Sequence, residues 1–329
     1  MLQIGFLADL RNPPPWERPW PRLYGRALEL IEEADRLGAG AIFLGEHHFA
    51  PDGYICQPLT FAAAIAARTR RIRIGTEVTL APIRHPLHIA EEAAVIDVLS
   101  DGRVELGLGA GYVPGEFEAF GADRSTKFKD LDRVAAEVRR LLREVVTPPP
   151  VQDELPIWCG YNFPVGARRA GRLGAGLMSL LPWCLEPYLE GLAEGGYAPE
   201  RARMAGLLDL IVSDDPERDR VELRPHIEYQ AGAYADFFRQ TARAEGHELS
   251  DENLAGSAAV SSYKVLDPAS ATDLIVDLVR GLPAAFVTPW LTVGGMPDEV
   301  AQRHVTLMMT QVAPAVAERL AGGEGATSN

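Results

Sequence analysis

Cysteine is scarce in this chain. Cys56, Cys159 and Cys184 are the only three, an odd number without the paired spacing of a zinc site or a disulfide framework, which reads as a protein of a reducing compartment with buried, inert thiols. Long apolar runs are missing as well: no segment reaches the ~18 consecutive apolar residues of a membrane span. The stretch MLQIGFLADLRNPPPW lacks a basic region followed by a long apolar core, so the expectation is a cytoplasmic protein. Basic charge is in deficit, with 32 Lys and Arg against 46 Asp and Glu and a formal net charge of −14. That field repels nucleic-acid backbones and anionic membranes. Two chemical signatures fail to complete. His85-Pro86-Leu87-His88 lacks the helix-borne HExxH pattern, so a metal site built from His47, His85, His88 and a carboxylate is the weaker reading and no metal is expected. Gly107, Gly109 and Gly111 do not extend to G-x-G-x-x-G, because the sixth position is Tyr112 or Pro114; no nicotinamide fingerprint is present.

What is present is alternation. Hydrophobic residues make up 47% of 329 positions, enough to bury the core of one large α/β domain. Strand-like runs begin at Ile4, Ala41, Ile72 and Val104 and continue with PIWCGY, GLMSL, LLDLIVS and AAFVTPW, separated by amphipathic helical patterns such as Tyr24 to Leu37. Eight such units predict a (β/α)8 TIM barrel with an insertion between the seventh and eighth strands. A single domain is expected over 1–320. Residues 214–263, helical in pattern from Ala231 to Ala244, form a lid-like insertion too long for an ordinary connection, and 321–329 a flexible tail.

Chemistry in such barrels sits on the loops that follow the C-terminal strand ends. The second strand ends in Gly45, Glu46, His47 and His48; the third in Thr76, Glu77 and Val78; the fourth in Gly109, Ala110, Gly111 and Tyr112; the fifth in Gly160, Tyr161 and Asn162. Successive side chains on an extended segment point to opposite sides, so His47 and His48 cannot both face one pocket. Histidine suits proton transfer near neutral pH, yet a histidine capping a strand is equally a structural element, and the residues alone leave both roles open. The run VELGLGAGYVPG, from Val104 to Gly115, is a strand opening into a glycine turn, either a tight barrel corner or a place where a ligand meets the main chain. Asn162-Phe163-Pro164 reads as a helix entrance whose first N–H groups are free to face an anion, with Arg168 and Arg169 one turn deeper, more simply read as surface charges.

GEHHFAPDG, followed by RIRIGTEVTLAPIRHPLHIAEEAAVIDVLSDGRVELGLGAGY and then PIWCGYNFPVGARRAGRLG, resembles the bacterial-luciferase-like flavin monooxygenases, strongly over the first third of the chain. The resemblance implies a TIM barrel binding FMN, or in one branch the deazaflavin F420, at the C-terminal rim. It places His47 as the active-site histidine beside the isoalloxazine and Glu46 as its partner in the strand-end motif. Glu77-Val78 falls where the family often has a non-proline cis peptide under the flavin ring, and Gly109, Ala110, Gly111 and Tyr112 match the turn near the flavin's side chain and phosphate. Two departures stand out. Ala110 replaces the phosphate-binding arginine of bacterial luciferases, and Tyr161-Asn162-Phe163 replaces small hydroxyl residues. The implied activity is a monooxygenase that takes reduced FMN from a separate NAD(P)H:flavin reductase, reacts with O2 through a flavin hydroperoxide and oxidises a small organic substrate. Phe237, Phe238, Trp183 and Trp290 suggest an apolar substrate face, although large aromatics are more often plain core. The alternatives are an F420-dependent hydride-transfer enzyme and a non-catalytic flavin-binding barrel. A homodimer formed through helices after the early strands is expected from the same resemblance.

Overall fold

The computed structural model describes residues 1–247, 249 and 263–324. Its first strand is split at Gly5 into β1 (Gln3–Ile4) and β2 (Phe6–Ala8). The remaining barrel strands are β3 (Ala41–Leu44), β4 (Arg73–Thr76), β6 (Val104–Gly109), β7 (Ile157–Gly160), β8 (Gly176–Met178), β9 (Met204–Leu208) and β12 (Ala284–Pro289). Every pairing is parallel, β1 pairs with β12 and β2 with β3, and Leu291 N–H donates to Leu7 O at 2.7 Å. The two halves of the first strand therefore close the ring of eight. Parallel strands covered on both sides carry continuous apolar runs, and all six residues of β6 are buried.

Helices alternate with the strands: α1 (Trp20–Leu37), α2 (Pro58–Arg68), α3 (Pro86–Ser100), α4 (Pro114–Phe120), α5 (Lys127–Glu144), α6 (Pro164–Arg172) and α7 (Leu185–Glu194). Local signals set their ends. Gly38, at φ 93°, stops α1, and α3 starts on Pro86 with His85 Nδ1 accepting from Leu87 N–H. A short strand β5 (Thr79–Leu80) lies against the end of β6.

Four differences from the sequence reading stand out. The seventh barrel strand is Met204–Leu208, starting three residues before the apolar run predicts, because small residues Ala205 and Gly206 carry the pairing. The run then breaks at Asp209, and β10 (Leu210–Val212) leaves the barrel to pair in parallel with β11 (Lys264–Leu266). The helix of the insertion, α8 (Pro216–Ala244), starts fifteen residues earlier than its pattern suggests, capped by Asp215 and continuing through Pro225. After α9 (Pro268–Val279), the C-terminal α10 (Asp298–Leu307) passes through a π turn (Met308–Val312) into α11 (Ala313–Glu324), so residues 321–324 are helical where a tail is expected. Residues 325–329, and 248 and 250–262 of the expected lid, lie outside the described residues. Among the described residues no helix is long and apolar enough to cross a membrane.

Candidate active site

His47 and His48 follow β3 at the barrel rim, both buried, and they diverge. The His47 Nδ1 lies 2.9 Å from Glu116 Oε1, and the same oxygen accepts from the His48 backbone N–H at 2.8 Å. A carboxylate only accepts, so in the neutral imidazole Nδ1 carries the hydrogen and Nε2 presents its lone pair. The Tyr112 hydroxyl stands 3.3 Å from Nε2. The His47 ring stacks on Phe237 with centroids 4.3 Å apart and meets Tyr54 edge-on at 4.9 Å. His48 turns the other way: its Nε2 lies 3.0 Å from Glu46 Oε1, and its ring meets Phe120. Glu46 is fully engaged, accepting from Arg84 Nη2 at 2.8 Å and from Leu80 N–H at 3.0 Å, and so ties the strand-end motif to β5.

The floor beside His47 is made by the third and fourth strand ends. The Glu77–Val78 peptide is cis, at the position where the resemblance places such a bond. A side chain at Gly109 would overlap Val78 Cγ2, and one at Gly160 would come within 3.0 Å of Val78 Cγ1; the two glycines leave bare main chain on either side of the valine. Gly111 adopts φ +67°, which turns the chain out of β6. Glu77, Val78, Gly111, Tyr112 and Gly160 are half-buried and Leu207 is 38% exposed, so the floor is open to solvent in part. The Glu77 carboxyl accepts from Thr288 Oγ1 at 2.9 Å, and burial pushes its pKa up from 4.5 to about 7. Burial also raises the Tyr112 and Tyr54 phenols above the ordinary range.

Other expected site residues sit further along the rim. The Tyr161 hydroxyl donates to Asp132 Oδ1 at 2.9 Å, and Asp132 also pairs with Arg169; Arg168 pairs with Glu190 and Glu194. Ala110 is buried, whereas Asn162 and Phe163 are exposed at the start of α6. Helix α8 crosses the mouth. Phe237 covers His47, Phe238 stacks on Tyr112 with centroids 5.4 Å apart, and Thr241 Oγ1 donates to Tyr112 O at 3.1 Å. Trp290 is buried, its Nε1–H donating to Asp209 at 2.8 Å, and Trp183 is 60% exposed.

Sequence reasoning missed Glu116 and Arg11. Glu116 lies in the first turn of α4, where an acidic residue reads as an ordinary complement to the helix dipole. Arg11 follows the first strand, and extending the strand-end test to that strand would have found it.

A model of the family described as luciferase-like monooxygenase matches residues 12–308. Over 245 residues the chain is 30% identical to limonene 1,2-monooxygenase of Rhodococcus erythropolis, covering 64% of this chain and 63% of that protein. It is 28% identical over 228 residues to an F420-dependent glucose-6-phosphate dehydrogenase of Amycolatopsis mediterranei, covering 61% and 65%. The chain thus spans less than two thirds of the length of these curated relatives. The oxygenating constituent of 3,6-diketocamphane monooxygenase from Pseudomonas putida, solved in complex with FMN, shares the fold with a TM-score of 0.73 at 18% identity, covering 95% of this chain and 98% of that one.

Proposed function

The chain belongs to the luciferase-like monooxygenase family, and from that premise we propose that it is the oxygenase of a two-component system, using reduced FMN and O2 to oxidise a small organic substrate. The observation that carries this reading is the cleft floor of Val78 between Gly109 and Gly160, with His47 at its edge. A flat apolar floor flanked by bare main chain fits the face of a fused-ring cofactor, since added side chains would displace the valine. Glu77 and Val78 would hold the ring end, and Gly109, Ala110, Gly111 and Tyr112 would line the side chain and phosphate. Tyr161, Asn162 and Phe163 would hold the far end, where the first N–H groups of α6 face outward. With Ala110 in place of a cation, that grip rests chiefly on main chain and Tyr112.

Reduced FMN, when bound, supplies the electrons that activate O2. The protein contributes orientation, exclusion of water and proton placement. Glu116 fixes the His47 tautomer, so Nε2 is the atom that takes up or returns a proton at the cleft edge, with the Tyr112 hydroxyl as its neighbour. Helix α8, as part of the lid-like insertion 214–263, keeps water from that edge through Tyr234 and Phe237. A separate NAD(P)H:flavin reductase is supported by the description of the Pseudomonas neighbour as an oxygenating constituent. A homodimer is supported by the exposed Val95, Val98 and Leu99 of α3, a helix after an early strand. The cytoplasm, where free reduced flavin is made, is the fitting compartment.

Anaerobic titration with reduced FMN, followed by stopped-flow mixing with oxygen, tests the reading. Binding together with an oxygen reaction that slows or changes spectrum relative to free flavin supports it, and absence of both defeats it. A second reading, hydride transfer with F420, is favoured by the similarity to the F420-dependent dehydrogenase. Binding of F420 but not FMN decides for that branch. His47→Ala separates either enzyme from a flavin-storing barrel, which would lose nothing.

A further inference from the structure

One aromatic ring away from His47 lies a buried arginine with two donors that make no hydrogen bond among the described residues. Arg11 is 4% exposed. Its Nη1 donates to Asp52 Oδ1 and Oδ2 at 2.9 and 2.7 Å, while Nη2 and Nε have no hydrogen-bond partner among the described residues. Nε and Nη2 form one edge of the planar guanidinium, with parallel N–H vectors. Asp9 Oδ2 forms an ion pair with Nε at 3.3 Å, too poorly aligned for a hydrogen bond, and accepts no hydrogen bond among the described residues.

The rings of Tyr54 and Tyr234 each lie 4.9 Å from the guanidinium carbon, and their hydroxyls are bonded to each other at 2.9 Å rather than to the arginine. The same Tyr54 ring touches His47. The main chain locks the two places together: Ile55 N–H donates to Asp9 O and His47 N–H to Ile55 O.

Buried donors left unmade cost about 1–3 kcal/mol each. A fold that keeps a donor edge and an acceptor ion-paired yet without hydrogen bonds, within one ring of its histidine, presents them for use. One cation faces two carboxylates here, so a carboxylate or phosphate ligand would meet net repulsion. Burial pushes the Asp9 carboxyl up to about 6, which keeps it an acceptor at neutral pH.

The geometry points to a polar substrate subsite at Arg11 and Asp9, taking a neutral hydroxy-ketone: the carbonyl oxygen on the Nε–Nη2 edge and the hydroxyl donating to Asp9. This rests on the reading of His47 as the reaction centre and replaces a purely apolar substrate with one that carries an apolar body and an oxygenated end. Tyr234 and Phe237 of α8 cover the subsite, so the substrate enters when that helix yields.

Three probes on one skeleton test it: ethylbenzene, acetophenone and phenacyl alcohol, which carry no polar group, an acceptor, and an acceptor beside a donor. Their binding to the full chain is measured by calorimetry with and without FMN. Acetophenone is expected to bind about tenfold more tightly than ethylbenzene, and phenacyl alcohol more tightly again. Arg11→Lys keeps a cation for Asp52 but lacks the donor edge, and should erase the carbonyl increment. Asp9→Ala, which removes the acceptor, should erase only the hydroxyl increment, and it keeps the test open if the lysine variant does not fold. Equal affinity for all three probes, no binding of any, or undiminished increments in the variants would overturn the inference. If the flavin reading alone is wrong, the preference persists and FMN leaves it unchanged.

Discussion

Glu116 and His47, sixty-nine positions apart in the chain, share a hydrogen bond of 2.9 Å at the rim of the barrel. The carboxylate oxygen that holds the imidazole also holds the His48 main chain, so one side chain fixes both the tautomer of His47 and the turn that carries it. Replacing Glu116 by alanine leaves two buried donors without an acceptor and should cost about 2–3 kcal/mol. Glutamine keeps an oxygen in place and should cost about 1 kcal/mol or less. Urea denaturation measures both, and the 15N shifts of the His47 ring should report the Nδ1–H tautomer in the wild type and a mixture in Glu116→Ala. An unchanged tautomer in the alanine variant would remove Glu116 from any positioning role.

Gly109 and Gly115 separate a packing demand from mere turn-forming. A Cβ at Gly109 would overlap Val78, whereas one at Gly115 meets nothing within 4 Å. Gly109→Ala should displace the cleft floor, cost about 1–3 kcal/mol and weaken flavin binding by about tenfold or more. Gly115→Ala, inside α4, should be neutral or stabilising by up to about 1 kcal/mol and leave flavin affinity alone. Fluorescence quenching of the flavin, read alongside thermal denaturation, distinguishes the two.

Most of the barrel was legible because apolar runs and amphipathic helices announce themselves locally. The divergence of His47 and His48 followed from side-chain alternation alone. What was not legible depended on contacts between distant segments. β10 and β11 pair across more than fifty residues: Leu210–Val212 reads as a continuation of the seventh strand, and Lys264–Leu266 is too short to stand out. The Met204–Leu208 strand hides behind alanine and glycine, which pack well in a barrel but carry little hydrophobic signal. Glu116 and Arg11 look like surface charges in sequence, and become site residues only when folding buries them against His47, Asp52 and Tyr54.

His304 and Glu77 set opposite limits on stability with pH. His304 is fully buried, accepting from Val212 N–H through Nδ1 at 2.9 Å and donating from Nε2 to Trp290 O at 3.0 Å, and burial lowers its pKa from 6.5 to about 4. The unfolded chain therefore binds a proton below pH 6.5 that the fold refuses. The contribution of His304 is complete above 6.5 and is lost as pH falls towards 4. Glu77 is the reverse, raised from 4.5 to about 7: its contribution is complete below 4.5 and is lost as pH rises through 7. By linkage each is worth about 2 kcal/mol of change between pH 5 and pH 8, with opposite sign. His304→Gln, whose amide can make both bonds, should remove the acid-side loss, so that stability relative to wild type improves by about 2 kcal/mol on going from pH 8 to pH 5. Glu77→Gln should improve by a similar amount on going from pH 5 to pH 8. Urea denaturation at the two pH values checks both, and parallel shifts of either variant at the two pH values would mean that the corresponding group titrates alike in the folded and unfolded chain.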